Sequence, residues 1–275
     1  MLTAPLSPPD VLRDEPEQFR PETCPNCEAE RLGDYCQRCG QHYLDGRLTL
    51  GTLWSEFAER FLKMERGLGL TVRTLTVAPG RVCRRYVAGE RKRYVSPLSY
   101  FVLGTAVVLF AFSFQIDGMK EWMIEMMERG DGTPLFGLLP ADKVPEFVEL
   151  NLKLIGVTYA YQVILLYVPF VLFMRLFFRR SGFNLAEISV YALFVTGHYH
   201  LIDGLLSLPL LAFTGSATPP WLTIMLSLFF LCFGAVGFFG GRVGTAFKTI
   251  GAYVLAYLMF GIIRDGALLL WVLST

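Results

Sequence analysis

Residues 91–116 read RKRYVSPLSYFVLGTAVVLFAFSFQI, and the contrast between the two ends of this stretch decides the fold. Arg91, Lys92 and Arg93 close a basic run, and the next 23 residues, up to Asp117, carry no charge. A helix that crosses a bilayer needs about 20 mainly apolar residues, because the hydrocarbon core is about 30 Å thick and each residue rises about 1.5 Å. The stretch predicts a membrane span near 97–116, entered from the side that holds the basic run.

Four more stretches meet the same length requirement. They predict spans near 154–175, 187–212, 220–241 and 249–273, the last interrupted by Arg264 and Asp265. Lys and Arg cluster before the first span, after the second (Arg175, Arg179, Arg180) and after the fourth (Arg242, Lys248). The loop 117–153 instead carries four basic and eight acidic residues. Every basic cluster then falls on one side, which places the N-terminus in the cytoplasm and the C-terminus outside. Within the acidic loop, Met119, Trp122, Met123, Met126 and Met127 alternate with Glu121, Glu125 and Glu128, the pattern of an amphipathic helix that lies on the outer surface or caps the bundle.

The 275 residues hold 25 Lys and Arg against 24 Asp and Glu, and 53% are hydrophobic, which excludes a disordered chain or a nucleic-acid coat. Of these 49 charges, 28 lie in residues 1–95, so a soluble N-terminal part is expected to precede a bilayer-embedded part. Residues 1–23 contain five prolines and no basic start followed by an apolar run, so they read as a flexible tail rather than a signal peptide. The cysteines that follow should therefore stay in a reducing cytoplasm.

Cys24-Pro25-Asn26-Cys27, eight residues, then Cys36-Gln37-Arg38-Cys39-Gly40 is the strongest motif. Two such pairs supply four tetrahedral thiolates, so residues 24–43 read as a small ribbon closed around a structural zinc ion. Iron in a rubredoxin-like site is the chemical alternative. A closed shell leaves no position for substrate, so the metal serves as a staple and the ribbon as a surface for a protein partner. Cys83 and Cys232 stand alone and read as ordinary thiols.

Residues 48–95 predict cytoplasmic helices. Leu50, Leu53, Trp54, Phe57, Ala58, Phe61 and Leu62 recur at helical spacing behind Thr49 or Thr52 as a cap, and Trp54, Phe57 and Phe61 form the face expected to meet the membrane domain, lipid or a partner. A second helix, 70–78, should stop at Pro79-Gly80. Arg81, Arg84, Arg85, Arg91, Lys92 and Arg93 then read as lipid-headgroup contacts. Because this run abuts the bilayer, nucleic acid is disfavoured as its ligand.

Tyr35-Cys36-Gln37-Arg38-Cys39-Gly40-Gln41, Pro79-Gly80-Arg81-Val82, Arg85-Tyr86-Val87-Ala88-Gly89-Glu90-Arg91 and Tyr94-Val95-Ser96-Pro97 together resemble an uncharacterised family of bacterial multi-pass membrane proteins. Its members carry an N-terminal zinc ribbon and a domain of unknown function. The resemblance extends over about residues 24–100 and implies a location in the bacterial inner membrane, with no activity attached.

Ionisable side chains inside a span are expensive and so are candidate functional groups. They are His198, His200 and Asp203 in the third span and Arg264 and Asp265 in the fifth. Asp203 and Arg264 fall at similar depths, which predicts a pair between them. At about 100° per residue His200 and Asp203 share a face while His198 points elsewhere, so a metal site would use His200, Asp203 and Asp265. Interhelical hydrogen bonding is the structural alternative. Gly237-x-x-x-Gly241 and Gly240-x-x-x-Gly244 predict close helix packing, within the bundle or in a homo-oligomer.

The expected architecture is therefore mainly α, a bundle of about five transmembrane helices over residues 96–275 with a ribbon and amphipathic helices before it. The expected role is a non-enzymatic adaptor, regulator or assembly factor that recruits a partner to the membrane. A permease for a small solute, proton or metal ion ranks second and an intramembrane enzyme third.

Overall fold

The computed structural model describes residues 23–30, 33–43, 47–54, 67–114, 125, 143–215, 218–241 and 243–274. The described residues are mainly helical and contain no strand, only the isolated bridges Thr23 to Glu30 and Tyr35 to His42. The helices are α1 (Leu68–Val77), α2 (Pro79–Val87), α3 (Pro97–Ser113), α4 (Val144–Phe177), α5 (Leu185–Thr214), α6 (Pro220–Phe239) and α7 (Val243–Ser274). Phe57, Phe61, the methionine-rich loop apart from Glu125, and the tail 1–22 lie outside the described residues.

Each of the five stretches expected to span contains a helix over most of its described residues. Two helices, over Trp221–Phe239 and Val243–Val272, are long and apolar enough to cross a membrane, which suggests membrane association. They are not the buried helices of a water-soluble core, because Trp221, Phe247, Ile262 and Leu270 are all largely exposed. The helix α7 runs unbroken through Arg264 and Asp265.

The centre of the fold is α5, buried along most of its length and lying closely along α3. The approach is set by glycine: a Cβ on Gly104 would collide with the backbone of Gly197. The start of α5 is fixed by a capping box in which the Asn184 side chain accepts from the Glu187 amide and Glu187 accepts from the Asn184 amide. The helices α4 and α7 pack on each other, and α2 packs on α6.

The helix expected over 70–78 stops ahead of Pro79-Gly80, with α1 ending at Val77, and Pro79 opens the next helix, because proline at the first position of α2 lacks an N–H that would be unpaired there anyway. One expectation is corrected: of the glycines in the two spaced pairs, Gly237 packs closely on another helix and Gly240, Gly241 and Gly244 do not. Gly237 does make a close contact, with a Cβ placed there lying 3.0 Å from the Gly80 Cα, but its partner is α2. Gly240 and Gly241 have φ of 77° and 76° and break the chain between α6 and α7, and a Cβ on Gly244 would meet nothing.

Candidate metal centre and polar cavity

Each cysteine pair sits on a tight turn. The Cys24 carbonyl accepts from the Glu28 amide at 2.8 Å, and the Cys36 carbonyl from the Gly40 amide at 2.8 Å. The residue after each second cysteine is left-handed, with φ 62° at Glu28 and 69° at Gly40. These matching turns bring the four sulfurs within 4.8 Å of one another, with Cys24 to Cys39 at 3.7 Å and Cys27 to Cys36 at 3.5 Å. Four sulfurs each about 2.3 Å from a common ion would be roughly 3.8 Å apart, so the cluster fits a tetrahedral metal. The Cys36 thiol is drawn down to about 6, chiefly by the Cys39 amide, with the Tyr43 hydroxyl acting in the same direction. The Cys27 thiol is pushed up to about 12: the Ala29 amide opposes this, while burial and the neighbouring thiols drive it. Four soft donors close together could hold one metal ion.

The cluster is attached to the helices. Asn26, between the first two cysteines, accepts from the Arg93 amide at 3.1 Å, and Gln41, just after the second pair, accepts from the Lys92 amide at 2.8 Å. Pro25 packs on Gly89 so closely that a Cβ there would lie 2.9 Å from its ring. Sequence reasoning missed this docking; its one visible signal was that the cysteine motifs and the 85–97 motifs occur together. It also missed Arg47, whose guanidinium donates to both Glu187 oxygens and to the Gly182 carbonyl. Thr49 and Thr52 bond reciprocally and cap the helical residues 50–54, as expected. In that turn Leu53 is buried while Leu50 and Trp54 are exposed. His42 is exposed and its ring lies 4.7 Å from that of Tyr35. Of the basic run, Arg81, Arg85, Lys92 and Arg93 are exposed, whereas Arg91 is buried and Arg84 donates to the Phe238 carbonyl at 2.7 Å.

The polar groups of α5 and α7 divide into two sets. His198 is fully buried between the Tyr100 hydroxyl at 2.7 Å and the Thr76 hydroxyl at 3.2 Å. His200, Asp203 and Arg264 instead line a common cavity of about 400 Å³ walled mainly by apolar and aromatic side chains. The expected Asp203–Arg264 pair is not formed. The hydroxyls of Thr218, just before α6, and Thr223, in its first turn, donate to one Asp203 oxygen at 3.1 and 3.0 Å, and Arg264 pairs with the adjacent Asp265 at 2.6 Å. Similar depth fixed the height of the two residues but not their azimuth, and closer partners won. Among the described residues the four cysteines are the one group of three or more such ligands in range of a single ion, so His200, Asp203 and Asp265 do not assemble a metal site.

A family model described as "Protein of unknown function (DUF3667)" matches residues 65–109. That region contains α1, α2, the loop that receives Asn26 and Gln41, and most of α3. The match and the four-cysteine cluster are consistent with an uncharacterised family that carries a metal-binding motif. No curated protein and no solved structure matches the chain.

Proposed function

We propose that this chain is a five-span protein of the bacterial inner membrane whose cytoplasmic zinc ribbon recruits a protein partner, as an adaptor, regulator or assembly factor. Its N-terminus is cytoplasmic, its C-terminus is external, and the exposed arginines of the 81–93 run meet lipid headgroups. Zinc suits the four-thiolate site because it takes a closed tetrahedral shell without redox chemistry. The observation that carries the reading is the docking of that closed cluster on the 89–93 loop while Tyr35 and Trp54 remain 61% and 65% exposed. A rigid metal-stapled platform with outward aromatic rings, and no room on the metal for substrate, is suited to binding rather than catalysis.

The test places a photo-crosslinking residue at Tyr35 or Trp54 in the full chain in cells. One discrete crosslinked protein is expected, lost in Cys24→Ser/Cys27→Ser while membrane insertion persists. Absence of a discrete product at both positions would count against recruitment. The cavity beside Asp203 favours the permease as the second reading; solute uptake into proteoliposomes that disappears in Asp203→Asn would support it.

A further inference from the structure

The 400 Å³ cavity between α3, α4, α5, α6 and α7 is large enough for a small organic molecule and has uncommitted polar atoms. Asp203 is 7% exposed, and both of its hydrogen bonds, from Thr218 and Thr223, go to one oxygen. The other oxygen has no hydrogen-bond partner among the described residues. His200 is 4% exposed, and its Nδ1 lies 3.2 Å from the Thr105 hydroxyl, while its Nε2 has no such partner among the described residues. Neither atom is sealed away from open space. Both side chains line the cavity.

The charge around the cavity is unbalanced. Arg264 is engaged by Asp265 at 2.6 Å, and its guanidinium carbon lies 5.4 Å from the Phe260 ring centroid. That pair is self-compensating, and Asp203 has no cationic partner among the described residues, so its ionised form is completed by a cation brought in from outside. A buried carboxylate oxygen facing an apolar cavity attracts a cation that can donate a hydrogen bond and shed water at low cost. Tyr253 and Tyr257 line the same cavity, and aromatic side chains near a cation favour it.

We propose that this cavity binds one lipophilic ammonium compound, with its charged nitrogen on Asp203 and its apolar body among Phe112, Leu166, Phe170 and Ile224. Such an amine could be a free small molecule or the amine headgroup of a membrane lipid. The site stands independently of partner recruitment and of transport, because equilibrium binding needs neither.

The experiment uses the full chain in phosphatidylcholine nanodiscs and titrates 4-phenylbutylamine by calorimetry, with 4-phenylbutanol as the uncharged isostere. One saturable site is expected for the amine, with the alcohol at least tenfold weaker. Asp203→Asn keeps an acceptor oxygen for the two threonines and should weaken the amine at least tenfold at unchanged melting temperature. Ile224→Trp fills the cavity from its wall without touching Asp203 and should also abolish binding. Repeating the titration in phosphatidylethanolamine nanodiscs identifies the source: competition points to the lipid headgroup, and unchanged affinity points to a free amine. Equal binding of amine and alcohol, undiminished binding in both variants, or no binding of the amine overturns the proposal.

Discussion

Arg47 grips Glu187 with two nitrogen atoms, at 3.1 and 2.8 Å, across 140 positions of sequence. Glu187 is 1% exposed and also caps its own helix, so one carboxylate closes the start of α5 and holds the linker that leaves the cysteine-rich segment. Arg47→Ala would leave a buried charge with only the Asn184 amide, and a destabilisation of about 1–3 kcal/mol is expected. Glu187→Gln retains the cap and should cost less. Thermal unfolding in detergent checks both, and equal costs for the two variants would contradict the shared role of Glu187.

The two cysteine turns have the same backbone shape but different residues at the left-handed position, Glu28 in one and Gly40 in the other. A left-handed non-glycine residue costs about 1 kcal/mol, so Glu28→Gly should strengthen metal retention slightly and Gly40→Ala should weaken it. Competition against a metal chelator gives the order. Metal removal should also release the Lys92 and Arg93 amides from Gln41 and Asn26, read as faster hydrogen exchange at residues 92 and 93 on chelation. Unchanged exchange there would mean that the docking does not depend on the metal.

Where α2 crosses α6, backbone meets backbone: a Cβ on Gly80 would overlap Gly234, Gly237 and Phe238. None of these atoms belongs to a flexible side chain that could give way, so Gly80→Val should cost about 3 kcal/mol or more, at the upper end of overpacking penalties. Gly244→Val meets open space and serves as the control. Membrane-inserted yield and melting temperature should fall for the first and hold for the second.

Cys83 is fully buried on α2, and burial pushes its thiol well above the ordinary value of 9.0. The folded chain therefore keeps this proton where the unfolded chain has lost it. The resulting contribution to stability is complete below about pH 9 and declines as pH rises beyond it, by about 1.4 kcal/mol per pH unit at most. Cys83→Ala should flatten this part of the stability profile between about pH 9 and 10.5. Maleimide should leave Cys83 unmodified in the folded protein at about pH 8, and rapid labelling would contradict its burial.

What the sequence makes legible here follows from periodicity and short-range spacing. Four cysteines at C-x-x-C spacing can converge locally without the rest of the chain, and mainly apolar runs of helical length announce α3 to α7. Contacts between distant segments are not encoded this way. Nothing near Gln41 or Asn26 marks them as acceptors for the Lys92 and Arg93 amides. The Asp203–Arg264 expectation failed because rise per residue gives depth alone, while Thr218, just before α6, and Thr223, in its first turn, reach Asp203 from a direction that the pattern does not specify. His198 and His200 were separated correctly, since about 100° per residue sends neighbours two apart to different surroundings.

His198 offers the sharpest stability test. Thr76 donates its hydroxyl proton to the Val72 carbonyl at 2.9 Å, so its oxygen accepts from His198 Nε2–H at 3.2 Å. Nδ1 is then the acceptor and takes the Tyr100 hydroxyl proton at 2.7 Å. One neutral ring thereby ties α1 and α3 to α5, and neither nitrogen remains for a ligand. Tyr100→Phe should destabilise by about 1–3 kcal/mol, because it leaves a buried ring nitrogen unpaired. Combined with His198→Ala, the loss should be less than the sum of the single losses by about 1 kcal/mol. Strict additivity would mean that the bond contributes nothing. His200→Ala should cost less, since one nitrogen of that ring already faces the cavity.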